Sequence, residues 1–129
     1  MAHVLVVDDE SDSLEFVGLF LEKRQHRVTT ARDGQEALRL LLTERPDVVV
    51  LDVRMPQLDG IALLEVMRSY LRWHSLPVVL VTAHGTPEQL IKARDLGVIY
   101  IFDKAQYKLA ELAVAIDDIT GARHDTLTC

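Results

Sequence analysis

The stretch VVVLDVRMP, residues Val48 to Pro56, decides how this chain folds. Four apolar residues, three of them β-branched, lead directly into Asp52. Such a uniformly apolar run predicts a strand that is buried on both faces, as in a parallel sheet covered by helices. Asp52 then lies at the carboxyl end of a buried strand, where an ionisable group requires a functional or structural reason.

The rest of the chain alternates short β-branched runs with segments of helical periodicity. The predicted strands are His3–Val7, Arg27–Thr30, Val48–Leu51, Val78–Val81 and Val98–Phe102. Alternation with short links predicts parallel strands joined by right-handed crossovers. We therefore expect an α/β fold: a five-stranded parallel, doubly wound, flavodoxin-like sheet in the order 2-1-3-4-5, with helices on both faces.

Helix signals and apolar stripes complete the prediction. Asp33 and Glu36 have the spacing of a capping box, and Thr86-Pro87 places proline at a first helical position. A last amphipathic helix is predicted over Gln106 to Ile119. The predicted core residues of the first two helices are Leu14, Val17, Leu21, Leu38, Leu41 and Leu42. The histidines His26 and His74 lack metal-ligand spacing and are predicted at the surface.

Composition limits the classes of function. With 129 residues, 49% of them hydrophobic, the chain predicts one domain over residues 1–120 and a flexible tail over 121–129. Its one cysteine, Cys129, excludes an internal disulfide. A net charge of −6 opposes direct nucleic-acid binding. Because the apolar runs are too short to span a bilayer and no signal peptide is evident, we expect a soluble, cytoplasmic protein without membrane contact.

Polar residues follow four of the predicted strands. Asp8–Glu10 follows the first strand, Asp52 the third, Thr82 the fourth and Lys104 the fifth. Each residue alone could be a turn or cap residue. Carboxyl ends of neighbouring parallel strands, however, lie at one edge of the sheet, which is where ligands bind in this architecture. We expect these side chains to form one site.

A cluster of carboxylates needs a cation. Two unit charges about 4 Å apart repel by roughly 4 kcal/mol at an effective dielectric constant near 20. Mg²⁺ with oxygen ligands would offset this repulsion, and Lys104 supplies a second positive charge. Aspartate carboxylates act as nucleophiles in phosphoryl transfer, where catalysis consists mainly of positioning and charge neutralisation. Asp52 is the candidate nucleophile.

Four motifs together resemble the receiver domain of two-component response regulators, of the chemotaxis-regulator type. They are VLVVDDE, LDVRMPQLDG, VTAHG and FDKA, and the resemblance extends over nearly the whole chain. Their spacings also agree with that family: 43 residues from Asp9 to Asp52, 30 from Asp52 to Thr82, and 22 from Thr82 to Lys104.

The resemblance implies a metal site. Asp9 and Asp52 would bind Mg²⁺ directly, the backbone carbonyl of Arg54 would be the third protein ligand, and Asp8 would act chiefly through water.

The resemblance also implies a signalling switch, not an enzyme. Asp52 would accept a phosphoryl group from the phosphohistidine of a histidine kinase or a histidine phosphotransfer protein, while Thr82 and Lys104 would bind phosphoryl oxygens. The surface of the fourth helix, fifth strand and fifth helix would then change and contact a downstream protein target, and a homodimer through this surface is possible.

Three features depart from the family pattern. Ala105 stands where a cis proline is usual, and we expect a trans peptide bond here. Ile101 replaces the usual switching aromatic, and strand alternation places Tyr100 and Phe102 on the opposite face. Arg54 and His84, each two residues after a site residue, are predicted to shield the site and alter the lifetime of the acyl phosphate.

Two other classes of protein fit the sequence less well. A haloacid-dehalogenase-type phosphatase needs a second aspartate where Arg54 stands, and a flavin carrier needs a hydroxyl-rich loop where Asp8–Glu10 would repel phosphate. A phosphorylation-silent pseudo-receiver that acts as a protein-binding module remains open. So does the question of whether the domain stands alone or belongs to a longer regulator.

Overall fold

The computed structural model describes residues 1–55, 58–83 and 85–121 as a five-stranded parallel sheet with five helices. The strand order is β2-β1-β3-β4-β5, which confirms the predicted fold class. The elements in chain order are β1 (His3–Val7), α1 (Ser11–Lys23), β2 (Arg27–Ala31), α2 (Gly34–Thr43), β3 (Val48–Leu51), α3 (Gly60–Ser69), β4 (Val78–Thr82), α4 (Pro87–Asp95), β5 (Tyr100–Asp103) and α5 (Leu109–Thr120). Within these ranges no helix is both long and apolar enough to cross a membrane.

The sheet separates two hydrophobic cores because successive strand residues point to opposite faces. Leu5 and Val7 of β1 pack with buried residues of α2, α3 and α4, whereas Val4 and Val6 pack with those of α1 and α5. All of β3 is buried, as its apolar sequence predicts. Layers of helices therefore cover both faces of the sheet.

The helix caps follow the sequence signals. The Asp33 side chain accepts a hydrogen bond from the Glu36 N–H at 2.8 Å, while the Glu36 carboxylate accepts from the N–H of Arg32, one residue before the cap. Thr86 and Gln89 form a reciprocal capping box at the start of α4. The predicted starts of α2 and α4 are thus confirmed.

The fifth strand begins at Tyr100, two residues later than predicted. The backbone of the residues before it forms hydrogen bonds that close the end of α4. The N–H of Val98 donates to the carbonyl of Ala93, and that of Gly97 donates to Arg94. This double closure requires a left-handed residue, and Gly97 has a φ of 91°. Val98 thus belongs to the helix end and not to the strand.

The last helix begins at Leu109 instead of Gln106. The N–H groups of Gln106 and Tyr107 both donate to the carbonyl of Asp103, which makes a tight turn directly after β5. The helix can start only after that turn is complete. The predicted flexible tail, apart from Gly121, lies outside the described residues.

Two burial predictions were wrong. Leu42 is 58% exposed, because α2 directs Leu41 into the core and Leu42 outward. His26 is buried, and its Nδ1 accepts a hydrogen bond from the N–H of Ala2 at 3.1 Å. A histidine that satisfies a backbone donor can be buried without serving as a metal ligand.

Gly60 positions the backbone of the Asp52 loop. Its N–H donates to the carbonyl of Val53 at 2.9 Å, so α3 begins directly against this loop. A Cβ atom on Gly60 would lie 2.8 Å from the Val53 Cα and closer still to the Asp52 carbonyl oxygen. A Cβ on Gly18 in α1, by contrast, would lie 3.7 Å from the nearest atom, a Cγ of Val28, which is an ordinary contact.

These two glycines should respond to alanine with opposite signs. We expect Gly60→Ala to destabilise the fold by about 1–3 kcal/mol through overpacking against rigid backbone. Gly18→Ala should stabilise it by about 0.5–1 kcal/mol, since glycine is unfavourable inside a helix. Urea denaturation of both variants measures this. Equal effects would contradict the close approach at Gly60.

Candidate functional site

The carboxyl ends of the strands bring the predicted site residues to one edge of the sheet. Asp52 follows β3, and its N–H donates to the Val7 carbonyl at the end of β1 at 3.0 Å. Thr82 ends β4, and its carbonyl accepts a hydrogen bond from the N–H of Lys104 at 3.0 Å. The parallel register therefore fixes the backbones of Asp52, Thr82 and Lys104 on adjoining strand ends.

Lys104 lies at the centre of an acidic cluster. Its Nζ is 2.7 Å from Asp8 Oδ2, 2.5 Å from Glu10 Oε1 and 3.3 Å from Asp52 Oδ2. The side chains of Asp8 and Asp52 are almost fully buried, and that of Lys104 is 16% exposed. One ammonium group therefore compensates two buried carboxylates and one exposed carboxylate.

The sequence interpretation missed Glu10. It stands in the DDE run after β1, and the prediction assigned roles only to the two residues before it. The structure brings Glu10 to Lys104 and leaves Asp9 exposed elsewhere. Nothing in the sequence orders these three acids, since the loop geometry after β1 decides which of them face the lysine.

Asp9 lines a neighbouring open cleft of about 410 Å³. The other lining residues are Val53, Arg54, Met55, Asp59 and Gln89. The Arg54 side chain is exposed at this cleft, and its backbone N–H donates to Asp52 Oδ1 at 3.2 Å. Asp9 and Arg54 thus lie beside the Asp52 loop but outside the contacts of Lys104. His84 lies outside the described residues.

Burial controls the charge of Asp52. Desolvation, together with the charge of Asp8, raises the pKa of Asp52 to about 6, although Lys104 and the Arg54 N–H act in the opposite direction. For Lys104, burial alone would lower the pKa, but hydrogen bonds to Asp8 and Glu10 and the nearby carboxylate charges raise it. Lys104 therefore stays protonated at neutral pH, whereas the pKa of Asp52 lies only slightly below neutral pH.

The oxygen atoms available at the site suit a hard divalent cation. One carboxylate oxygen each from Asp8, Glu10 and Asp52 lie within 4.8 Å of one another. Oxygen ligands of this kind bind Mg²⁺, which keeps several waters and needs only a few protein ligands. This cluster therefore offers oxygen ligands of the kind that Mg²⁺ takes, but it contains Glu10 and not the predicted ligand Asp9. Lys104 contacts all three of these carboxylates.

Aromatic residues of β5 lie on the face expected from strand alternation. Ile101 packs with the core on the α4 side, whereas Tyr100 and Phe102 pack with the core on the α5 side. The ring of Phe102 stacks with Tyr100 at 6.3 Å and with Tyr107 at 5.7 Å between centroids. The peptide bond between Lys104 and Ala105 is trans, as predicted.

Comparisons with known proteins agree with this geometry. The family described as the response regulator receiver domain matches residues 4–117. The transcriptional regulatory protein GlrR of Escherichia coli is 38% identical over 117 residues, covering 91% of this chain and 26% of GlrR. The transcriptional regulatory protein PrrA of Mycobacterium tuberculosis is 34% identical over 125 residues, covering 97% and 52% of the two chains. The chain thus spans about a quarter to a half of these relatives.

Solved structures show the same architecture. The chemotaxis protein CheY4 of Vibrio cholerae superposes with a TM-score of 0.84 at 28% identity, covering 92% of this chain and 98% of its own. A Francisella response regulator receiver domain gives a TM-score of 0.84 at 31% identity, with 95% and 99% coverage. The sequence match, the fold and the clustered site lead to one conclusion: the chain belongs to the response regulator receiver domain family.

Proposed function

We propose that Asp52 accepts a phosphoryl group from the phosphohistidine of a histidine kinase or a histidine phosphotransfer protein. The observation that supports this most directly is the Lys104 ammonium 3.3 Å from the Asp52 carboxylate, at the carboxyl ends of the strands. An Asp52 oxygen attacks phosphorus, the phosphorus–nitrogen bond to histidine breaks, and the histidine nitrogen leaves with its electron pair. Lys104 compensates the charge on the transferred oxygens.

Neighbouring residues complete the proposed site. Asp9, Asp52 and the backbone carbonyl of Arg54 would hold Mg²⁺ directly, and Asp8 would act chiefly through water. When bound, the cation supplies charge neutralisation to the phosphoryl oxygens. The Thr82 hydroxyl would donate to one of these oxygens, since Thr82 ends the strand next to both Asp52 and Lys104.

The output is a change of conformation. Thr82 is buried at the end of β4, directly before the segment that leads to α4, so movement of Thr82 would shift the α4–β5–α5 surface. We propose that this surface contacts a downstream protein or a second copy of the chain in the cytoplasm. The matched relatives are transcriptional regulatory proteins, so a DNA-binding output domain elsewhere in a longer protein is a further proposal.

The phosphorylation-silent alternative is not supported, because the family match is accompanied by a complete set of acids, hydroxyl and lysine. The domain is a signalling domain. We further propose that it turns over only its own acyl phosphate and is not a phosphatase of other substrates.

Acetyl phosphate provides the first test. Incubation with acetyl phosphate and Mg²⁺ should add one phosphoryl group to the wild type, since the donor needs no partner protein. Asp52→Asn should gain none, whereas Asp12→Asn, which removes an exposed acid of α1, should gain one. Intact-mass analysis measures this. Phosphorylation of Asp52→Asn to the same extent would contradict the proposed acceptor.

Arg54 should prolong the life of the acyl phosphate. Its exposed side chain lies at the cleft beside Asp52, where it can hinder an incoming water. We expect Arg54→Ala to lose the phosphoryl group about two- to tenfold faster, which corresponds to roughly 0.4–1.4 kcal/mol in the barrier. Arg39→Ala on the exposed face of α2 is the control. Equal dephosphorylation rates for all three proteins would exclude this role.

The pH dependence of stability should report the raised pKa of Asp52. Folding raises this pKa from 3.8 to about 6, so the folded state binds the proton more tightly and loses stability as pH rises between these values. Asp52→Asn lacks this loss and keeps Lys104 paired with two acids. Without metal it should therefore be more stable than wild type by about 1–3 kcal/mol at pH 7.

The two proteins should converge as the pH falls below about 4, near the pKa that Asp52 has when unfolded. Urea denaturation at a series of pH values measures both limits. A difference that is constant across the whole range would show that the substitution acts by another route.

A further inference from the structure

Glu10 contacts Lys104 although the proposed phosphoryl transfer does not require it. The two groups are 2.5 Å apart, which is shorter than either contact of Lys104 with the two aspartates. Glu10 is also 65% exposed, so its carboxylate could equally have extended into solvent. The arrangement raises the question of what the third acid does.

The backbone around Glu10 holds it in this place. Its N–H donates to Asp8 Oδ1 at 3.0 Å, while the other oxygen of the same carboxylate accepts from Lys104. The Glu10 carbonyl accepts the N–H of Leu14 in the first turn of α1. Glu10 occupies the N-cap position, yet its side chain makes no capping hydrogen bond. Its carboxylate is directed instead to Lys104.

The hydrogen-bond capacity of lysine makes this contact consequential. An ammonium group has three N–H donors, and three carboxylates surround the Nζ of Lys104. Asp52 has the longest of the three contacts, at 3.3 Å. A phosphoryl group on Asp52 would take over the donor that now reaches the Asp52 carboxylate, and a charge-assisted hydrogen bond of about 2.7–2.9 Å would require Lys104 to move closer to Asp52, against the pull of its two nearer partners. Glu10 is the more exposed of those two.

We propose that Glu10 is a positioning residue that restrains Lys104 in the unphosphorylated state and so slows phosphorylation of Asp52. The second part of this inference rests on the proposed function, whereas the first part concerns the resting structure alone. Glu10→Gln removes the charge of the restraint. Glu10→Asp keeps the negative charge but shortens the side chain by one methylene. It therefore tests whether the contact with Lys104, and not the charge alone, is what restrains the lysine.

The resting restraint is tested without metal or phosphoryl donor. Hydrogen exchange of the Lys104 ammonium group, followed by ¹H–¹⁵N NMR, should be about two- to fivefold faster in both Glu10 variants, the range expected for a partly exposed ion pair. Asp12→Asn, which removes a nearby acid that does not contact Lys104, should match the wild type. Unchanged exchange in both Glu10 variants would overturn the proposal.

The kinetic consequence is tested with acetyl phosphate and Mg²⁺. Both Glu10 variants should phosphorylate about two- to fivefold faster than wild type, with Asp12→Asn unchanged. Slower phosphorylation would show that Glu10 assists Lys104 and would overturn the proposal, as would equal acceleration by Asp12→Asn. If wild type gains no phosphoryl group, the proposed function fails, but the exchange experiment still decides whether Glu10 restrains Lys104.

Discussion

The ion pairs of Lys104 are the interaction on which the site depends. Two buried carboxylates, Asp8 and Asp52, lie at the carboxyl ends of adjacent strands, where their mutual repulsion opposes folding. Lys104 reaches both from β5, which is two strands away from β3 in the sheet. Burial and the charge of Asp8 raise the pKa of Asp52, and Lys104 offsets this effect only in part.

The fold supplies this geometry through backbone constraints. Parallel pairing places the ends of β1, β3, β4 and β5 at one edge, and Gly60 lets α3 begin against the Asp52 loop. Two separate cores hold the sheet between its helical layers. Because Asp52 and Lys104 directly follow the ends of β3 and β5, the sheet fixes their backbone positions.

The sequence predicted the sheet order and the proximity of Asp52 and Lys104. Apolar runs identify the strands locally, and a parallel sheet places the carboxyl ends of its strands at one edge. It could not predict that Glu10 and not Asp9 faces Lys104, since the conformation of the loop after β1 decides this. It also misplaced Leu42 and His26, whose burial depends on helix rotation and on a single backbone donor. The roles of all the predicted site residues in metal binding and phosphoryl transfer stay predictions: Asp8, Asp9, Asp52, Arg54, Thr82 and Lys104.

A double-mutant cycle tests the central claim that Lys104 stabilises the fold by pairing with Asp52. The free energy of unfolding is measured without metal at pH 7 for wild type, Lys104→Met, Asp52→Asn and the double variant. The claim predicts that Lys104→Met costs less stability when Asp52 is already neutral, with a coupling energy of about 0.5–3 kcal/mol. A coupling energy of zero would contradict it.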